Sequence, residues 1–311
     1  MLRRTCSLLI LLSALCVVVR AQGGPGRASV AVLDMGAGPT AARVAGRLAG
    51  LLSESGADAA TATRLSVLDR GLSGAAARGA GYAGSLNMTL EEARSLGASI
   101  GCDFYFTGDA QTIRRSSSAR PVYFESYASV FLVSSRTGRL VLWERPSAEA
   151  DTPERAEASL LASLDRKAGA LYASALAAAF AREERERFGP DESEERGPVI
   201  DLSADEGADS LKDLREPAPY GRLRPAYTEA AYRAEAEATV DASVEIGEDG
   251  EVREVSIVRW AGFGLDEEVE STVRRMHFRP ATRDGEPVAV RVLLRYNFRR
   301  PPKNERAVDE R

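Results

Sequence analysis

The most regular alternation of apolar and polar residues lies near the C-terminus. Val240, Ala242, Val244 and Ile246 are separated by Asp241, Ser243 and Glu245, and Glu248-Asp249-Gly250 leads into a second run from Val252 to Trp260. A two-residue period buries one face of a strand and wets the other, and an Asp-Gly between two such runs predicts a hairpin. Val252 and Val255 break the period, so a bulge is expected near Arg253. The period then changes. Leu265, Val269, Val273 and Met276 recur at helical spacing, with Asp266, Glu267 and Glu268 in the first turn and Arg274 and Arg275 in the last, as the helix dipole favours. Val288, Val290, Val292, Leu294, Tyr296 and Phe298 return to strict alternation. Strand, strand, helix, strand predicts a small α+β domain with an antiparallel sheet over residues 220–299.

Residues 28–182 read differently. Ala28 to Asp34 is a short apolar run that stops at an Asp and a Gly-rich turn, as a buried strand does. Pro39 suits a first helical turn, followed by Val44, Leu48, Leu51 and Leu52. Thr63 to Asp69 is a second strand, and the glycine-studded stretch from Gly71 to Gly84 predicts a mobile loop. Thr89 caps a helix through Glu91 and Glu92, and Asp103 to Gly108 follows as a strand. Tyr123–Ser134 and Arg139–Glu144, parted by Arg136-Thr137-Gly138, predict a hairpin. A single long helix is expected from Thr152-Pro153 through Leu160, Leu164, Leu171 and Leu176. Alternating strands and helices that give way to paired strands indicate an α/β domain with a mixed sheet.

Composition adds the boundaries. Residues 183–219 are rich in Glu, Asp, Arg, Ser, Gly and Pro, too polar to offset the entropy of ordering, and are expected as a charged flexible linker. Residues 300–311 are expected as a disordered tail. At the N-terminus, the basic Met1–Arg4, the apolar run Ser7–Val19 and Val19-Arg20-Ala21 have the form of a signal peptide cleaved after Ala21. That places the mature chain in the periplasm, with peripheral membrane association open. An uncleaved segment would instead anchor the chain in the inner membrane, although it falls short of the ~20 apolar residues a span needs. Cys6 and Cys16 leave with the leader. Cys102 then has no partner in the chain and, among apolar neighbours, reads as a buried thiol.

The formal net charge is −5, and losing Arg3, Arg4 and Arg20 with the leader takes it to about −8. An acidic chain lacks the basic face that nucleic-acid binding requires. His277 is the one histidine, which excludes histidine dyads, triads and His-based metal sites. Its place between Met276 and Phe278 predicts a packed or helix-capping side chain. Asp34, Asp69 and Asp103 fall at strand ends, where an α/β fold puts ligands but where Asp more commonly caps a turn or helix. No catalytic, cofactor or metal site is assigned, and the chain is read as no enzyme.

Four motifs of the C-terminal domain stand in order: Asp249-Gly250, Leu265-Asp266, Phe278-Arg-Pro-Ala281 and Gly285-Glu-Pro-Val288. With them, residues 222–299 resemble the TonB C-terminal family. Arg224-Pro-Ala-Tyr227 is a loose version of that family's Tyr-Pro entry, and His277 stands where Trp or Arg is usual. Residues 28–180 resemble, more weakly, the TolB N-terminal and CsgG-like periplasmic domains, through Val30-Ala-Val-Leu-Asp34, Ser66-Val-Leu-Asp-Arg70 and Leu96 to Asp103 running into Phe106-Thr-Gly108.

The TonB resemblance implies that the last strand offers an open edge to a peptide of an envelope partner, an outer-membrane β-barrel transporter or a lipoprotein. The edge residues are Val290, Arg291, Val292, Leu293, Leu294 and Arg295. Arg291, Arg295 and Arg299 share one face, read as a solvated face that protects the edge from aggregation. The chain is thus expected to be a periplasmic protein-binding adaptor linked to outer-membrane transport. Energy transduction, which needs a retained anchor helix and a long Pro-rich spacer, is not expected, and an apolar segment kept intact in the mature chain would favour it. A structural or secretion-accessory role exercised through the first domain is the alternative.

Overall fold

A computed structural model describes residues 26–55, 63–167, 171–188, 198–203 and 213–300. The stretches expected as a leader and as a disordered tail lie outside them. The chain begins with β1 (Gly26–Val32), α1 (Pro39–Ser55), β2 (Thr63–Val67), α2 (Arg70–Gly79), β3 (Met88–Thr89) and α3 (Leu90–Ile100). The strands β4 (Phe104–Arg115), β5 (Tyr123–Ser134), β6 (Leu140–Glu144) and β7 (Ser147–Ala150) follow, then α4 (Pro153–Lys167) and α5 (Ala173–Phe188). The sheet runs β2-β1-β4-β5-β6, with β7 continuing along the β6 side of β5. β1 is parallel to β2 and β4, and the other pairings are antiparallel. The mixed sheet expected for this domain is present.

Alternation splits the sheet's side chains between two cores. Val30, Val32, Phe104, Phe106, Val130 and Leu132 face α1, α4 and α5, whereas Ala31, Leu33, Tyr105, Phe131 and Val133 face the other way. Thr89 caps α3 in a capping box with Glu92, as its spacing predicts. The three strand-end aspartates are structural. Asp69 accepts from Leu72 N–H at 2.8 Å, Asp103 binds Ser29 N–H and Oγ, both at 2.7 Å, and Asp34 lies 3.4 Å from Arg70 and Arg78. Cys102 is buried, with Sγ 3.5 Å from Ser135 Oγ, and burial pushes its thiol up.

One expectation fails here. The stretch from Gly71, predicted as a loop, is helix α2 as far as Gly79. The Asp69 cap and the run Ala75-Ala76-Ala77 outweigh the glycines, of which Gly74 is itself buried. The helix expected from Thr152-Pro153 is described as α4 as far as Lys167 and, after a π turn at Leu171 and Tyr172, as α5, with residues 168–170 outside the described residues. Ala156, Leu160 and Leu164 of α4 and Ala173, Leu176, Ala179 and Glu183 of α5 are buried.

After α5 come three two-residue strands, β8 (Ile200–Asp201), β9 (Leu214–Arg215) and β10 (Ala218–Pro219), then α6 (Glu229–Ala234), β11 (Ala238–Ile246), β12 (Val252–Trp260) and α7 (Leu265–Arg274). β13 (Phe278–Arg279), β14 (Ala281–Arg283), β15 (Glu286–Val288) and β16 (Val290–Phe298) complete the chain. Gly250 has φ +82°, and a Cβ there would stand 2.0 Å from the Phe278 carbonyl oxygen. The Asp-Gly turn therefore needs glycine for conformation and space together. The bulge expected at Arg253 is present, and a second one skips Val258. The sheet predicted as antiparallel is mixed, because β8 joins it in parallel.

The stretch read as a flexible linker is partly ordered: α5 continues through Phe188, and β8, β9 and β10 pair with β16, β14 and β13. The two domains also share a core. β3 pairs with the end of β12, extending the C-terminal sheet to β3-β12-β11-β16-β8. Trp260, 1% exposed, stacks on Phe131 at 5.8 Å and donates its indole N–H to Gly138 O at 3.0 Å. Phe263 meets Phe131 and Trp143. Gly262, at φ +73°, leaves the space that Phe131 fills, since its Cβ would lie 2.6 Å from that ring. Among the described residues no helix is long and apolar enough to cross a membrane.

The Asn87 side chain closes the junction. It donates to Thr239 O and Trp260 O at 2.8 and 2.7 Å and accepts from Thr239 N–H at 3.0 Å. Asn87→Ala should therefore lower the free energy of urea unfolding by roughly 2–4 kcal/mol, since it also orphans main-chain groups. An unchanged midpoint and slope would remove Asn87 from this role.

Asp266 holds the turn into α7. It accepts N–H bonds from Ala261 and Gly262, both at 2.8 Å, while burial pushes its carboxyl up to about 7 against the pull of those donors. The folded chain thus keeps a proton that the unfolded chain releases near 4, so this group's contribution to stability declines as pH rises from about 4 to about 7. Glu92 and Glu157, held low by their hydrogen bonds, act below that window. Asp266→Asn should flatten the decline in denaturation profiles; an identical slope in the variant would assign the effect elsewhere.

Candidate docking edge of the C-terminal sheet

β16 is long because its apolar residues keep step over nine positions. Val290, Val292, Leu294, Tyr296 and Phe298 face the core, and Tyr296 donates to Met276 Sδ at 3.6 Å. Its inner edge pairs with β11 from Ala238↔Phe298 to Ile246↔Val290. Its outer edge starts occupied. Ile200 N–H donates to Ala289 O at 3.0 Å and Leu202 N–H to Arg291 O at 2.8 Å. Asp201 then accepts from Ser203 N–H and Oγ, at 2.9 and 2.5 Å, closing a short Asx turn after β8. From Val292 onward no described residue pairs with this edge. Main-chain groups alternate in direction along a strand, so those of Leu293, Arg295 and Asn297 point outward as Arg291's do.

Of the six residues read as the docking edge, Val290 and Arg291 pair with β8, and Val292, Leu293, Leu294 and Arg295 lie on the open stretch. Leu293 is 42% exposed between the two arginines. The arginine face differs from a merely solvated one. Asp241 and Glu245 of β11, each 3% exposed, lie beneath the guanidinium groups. Arg295 binds both carboxylate oxygens of Asp241 at 2.7 and 2.9 Å, Arg259 lies 3.5 Å from the same group, and Arg291 reaches Glu245 at 3.3 Å and Asp201 at 3.8 Å. The Asp241 carboxylate raises the Arg295 guanidinium above its ordinary value. Arg299 is exposed beyond the strand.

Two elements near the edge escaped the sequence reading. β8 was signalled by Val199, Ile200 and Leu202, an apolar patch in a polar stretch. α6 was signalled by Thr228, which caps it through Ala231 N–H and also donates to Phe263 O at 2.5 Å. His277, expected to be packed or capping, is exposed, with Nδ1 2.9 Å from the Glu251 carboxylate, because β13 turns it outward opposite that residue.

Residues 224–299 match the family model described as the Gram-negative bacterial TonB protein C-terminal. The C-terminal domain is thus of the TonB C-terminal type, as its four motifs imply. Among solved structures, the chain is similar to the Pseudomonas aeruginosa TonB CTD at 18% identity, covering 35% of this chain and 100% of that one, with a TM-score of 0.26. It is similar to lipoprotein GNA1162 from Neisseria meningitidis at 15% identity over 50% and 99% of the two chains, with a TM-score of 0.31. For the LpoB C-terminal domain from Escherichia coli the identity is 14%, over 42% and 88%, with a TM-score of 0.26. No curated protein matches the chain.

Removing Arg295 should be felt as stability, because Asp241 would keep Arg259 alone. Arg295→Ala is expected to lower the midpoint of chemical denaturation more than Leu293→Ala does. Equal small effects would show that the buried carboxylate does not depend on its cover.

Proposed function

We propose that this chain is an exported periplasmic adaptor that binds a protein partner of the envelope along β16. The partner is an outer-membrane β-barrel transporter or a lipoprotein, and the interaction is linked to transport across the outer membrane. One observation carries the reading: in a domain of the TonB C-terminal type, the last strand keeps a main-chain edge from Val292 to Phe298 that no described residue pairs with. An extended segment adds to such an edge through N–H and C=O groups, with side chains setting preference. The exposed Leu293 is the apolar anchor, and Arg291 and Arg295, already committed to Glu245 and Asp241, hold the strand's shape. The reading assigns no chemistry to the chain, and the α/β domain serves as the platform on which the edge is held.

Leu293→Pro tests this cleanly. Its N–H points away from β11, so proline there leaves the inner ladder intact and blocks only the outer edge. With a photoreactive residue at Asn297 in the full chain, irradiated cells should yield an adduct with an outer-membrane barrel or lipoprotein, and the Pro variant should lose it while unfolding at the same urea concentration. An adduct that persists in the Pro variant, or its absence from the parent chain, would overturn the assignment.

A further inference from the structure

β6 is the edge of its sheet, and β12 is covered on its outer side by β3 at Arg259 and Trp260; the two strands line a groove of about 620 Å3 between the two domains. One wall is the run Arg139–Trp143, and the other is Val255, Ser256 and Ile257. Successive side chains of a strand point to opposite faces, so consecutive residues can all line one groove only where it runs along their main-chain edge. Both edges are open among the described residues. Beyond β11, β12 pairs only with β3, at Arg259 and Trp260, and β6 pairs only with β5.

Two further observations concern what the groove would take. The indole Nε1 of Trp143 is buried and has no hydrogen-bond partner among the described residues. A buried donor left alone is costly, and an incoming carbonyl would satisfy it. The lining charge is also divided. Glu267 and Glu270 of α7 stand on the β12 side, with Arg139 and Arg182 on the side of β6 and α5. A seam formed only to join two domains would be expected to close its strand edges, and this one leaves both open.

We infer that this groove is a second peptide-docking site, distinct from β16. It takes an extended segment of a protein partner that adds to β12 in line with β3. The segment is apolar at alternate positions, against Leu142, Trp143 and Ile257, and carries a basic residue where it passes Glu267 and Glu270. Main-chain pairing supplies affinity, and the acidic helix face sets orientation.

A phage-displayed library of random dodecapeptides, panned on the intact chain, provides the test. Selected peptides should alternate apolar residues and carry Lys or Arg at one end. Their binding should weaken at least tenfold in Ile257→Lys and in the surface double variant Glu267→Lys/Glu270→Lys, which leaves the core untouched. It should be unchanged in Leu293→Pro, which blocks the other edge. Binding lost in Leu293→Pro but retained in the groove variants, or selected peptides without the alternation and the basic residue, would overturn the proposal and leave the reading of β16 standing on its own test.

Discussion

Trp260 closes a joint that no covalent cross-link reinforces. Its ring is buried against Phe131, its N–H is spent on Gly138 O, and its carbonyl is held by Asn87. Because a donor buried this deeply is costly to leave unpaired, the two sheets favour the register that brings Gly138 O to it. Everything that defines the C-terminal domain's presentation follows from that constraint. β3 lies against β12, Phe263 enters the aromatic cluster, and β16 is left at the far side of the sheet.

The same arrangement explains which parts were legible in the sequence. Periodicity alone placed β11, β12, α7 and β16, and even the bulge at Arg253, because each buries one face against its own neighbours. The paired strands β5 and β6 were equally clear. The helix α2 was hidden because glycine count is a weak guide once a cap and an alanine run favour helix. β3 and β8 were missed for another reason: two-residue strands have no period, and their partners lie more than eighty residues away in sequence.

The candidate edge was readable in part. Alternation identified β16 and its arginine face, but nothing in local pattern shows that Asp241 and Glu245 are covered by those arginines, since that pairing depends on the β11–β16 register. Nor could it show that Ile200 and Asp201 close the first two positions. The open stretch that remains starts at Val292, and the resemblance of residues 28–180 to TolB and CsgG-like domains rests on sequence pattern alone.

The unequal length of the strand pairings has a mechanical consequence. β16 grips β11 over nine main-chain positions, whereas β3 meets β12 over two, and the rest of the joint is side-chain contact through Asn87, Trp260 and Phe263. A load applied along β16 would be resisted in shear by the long ladder and passed on to the short joint. The molecule would then yield between its sheets before it yielded within the C-terminal one, so that tension parts the domains while the strand under load keeps its grip.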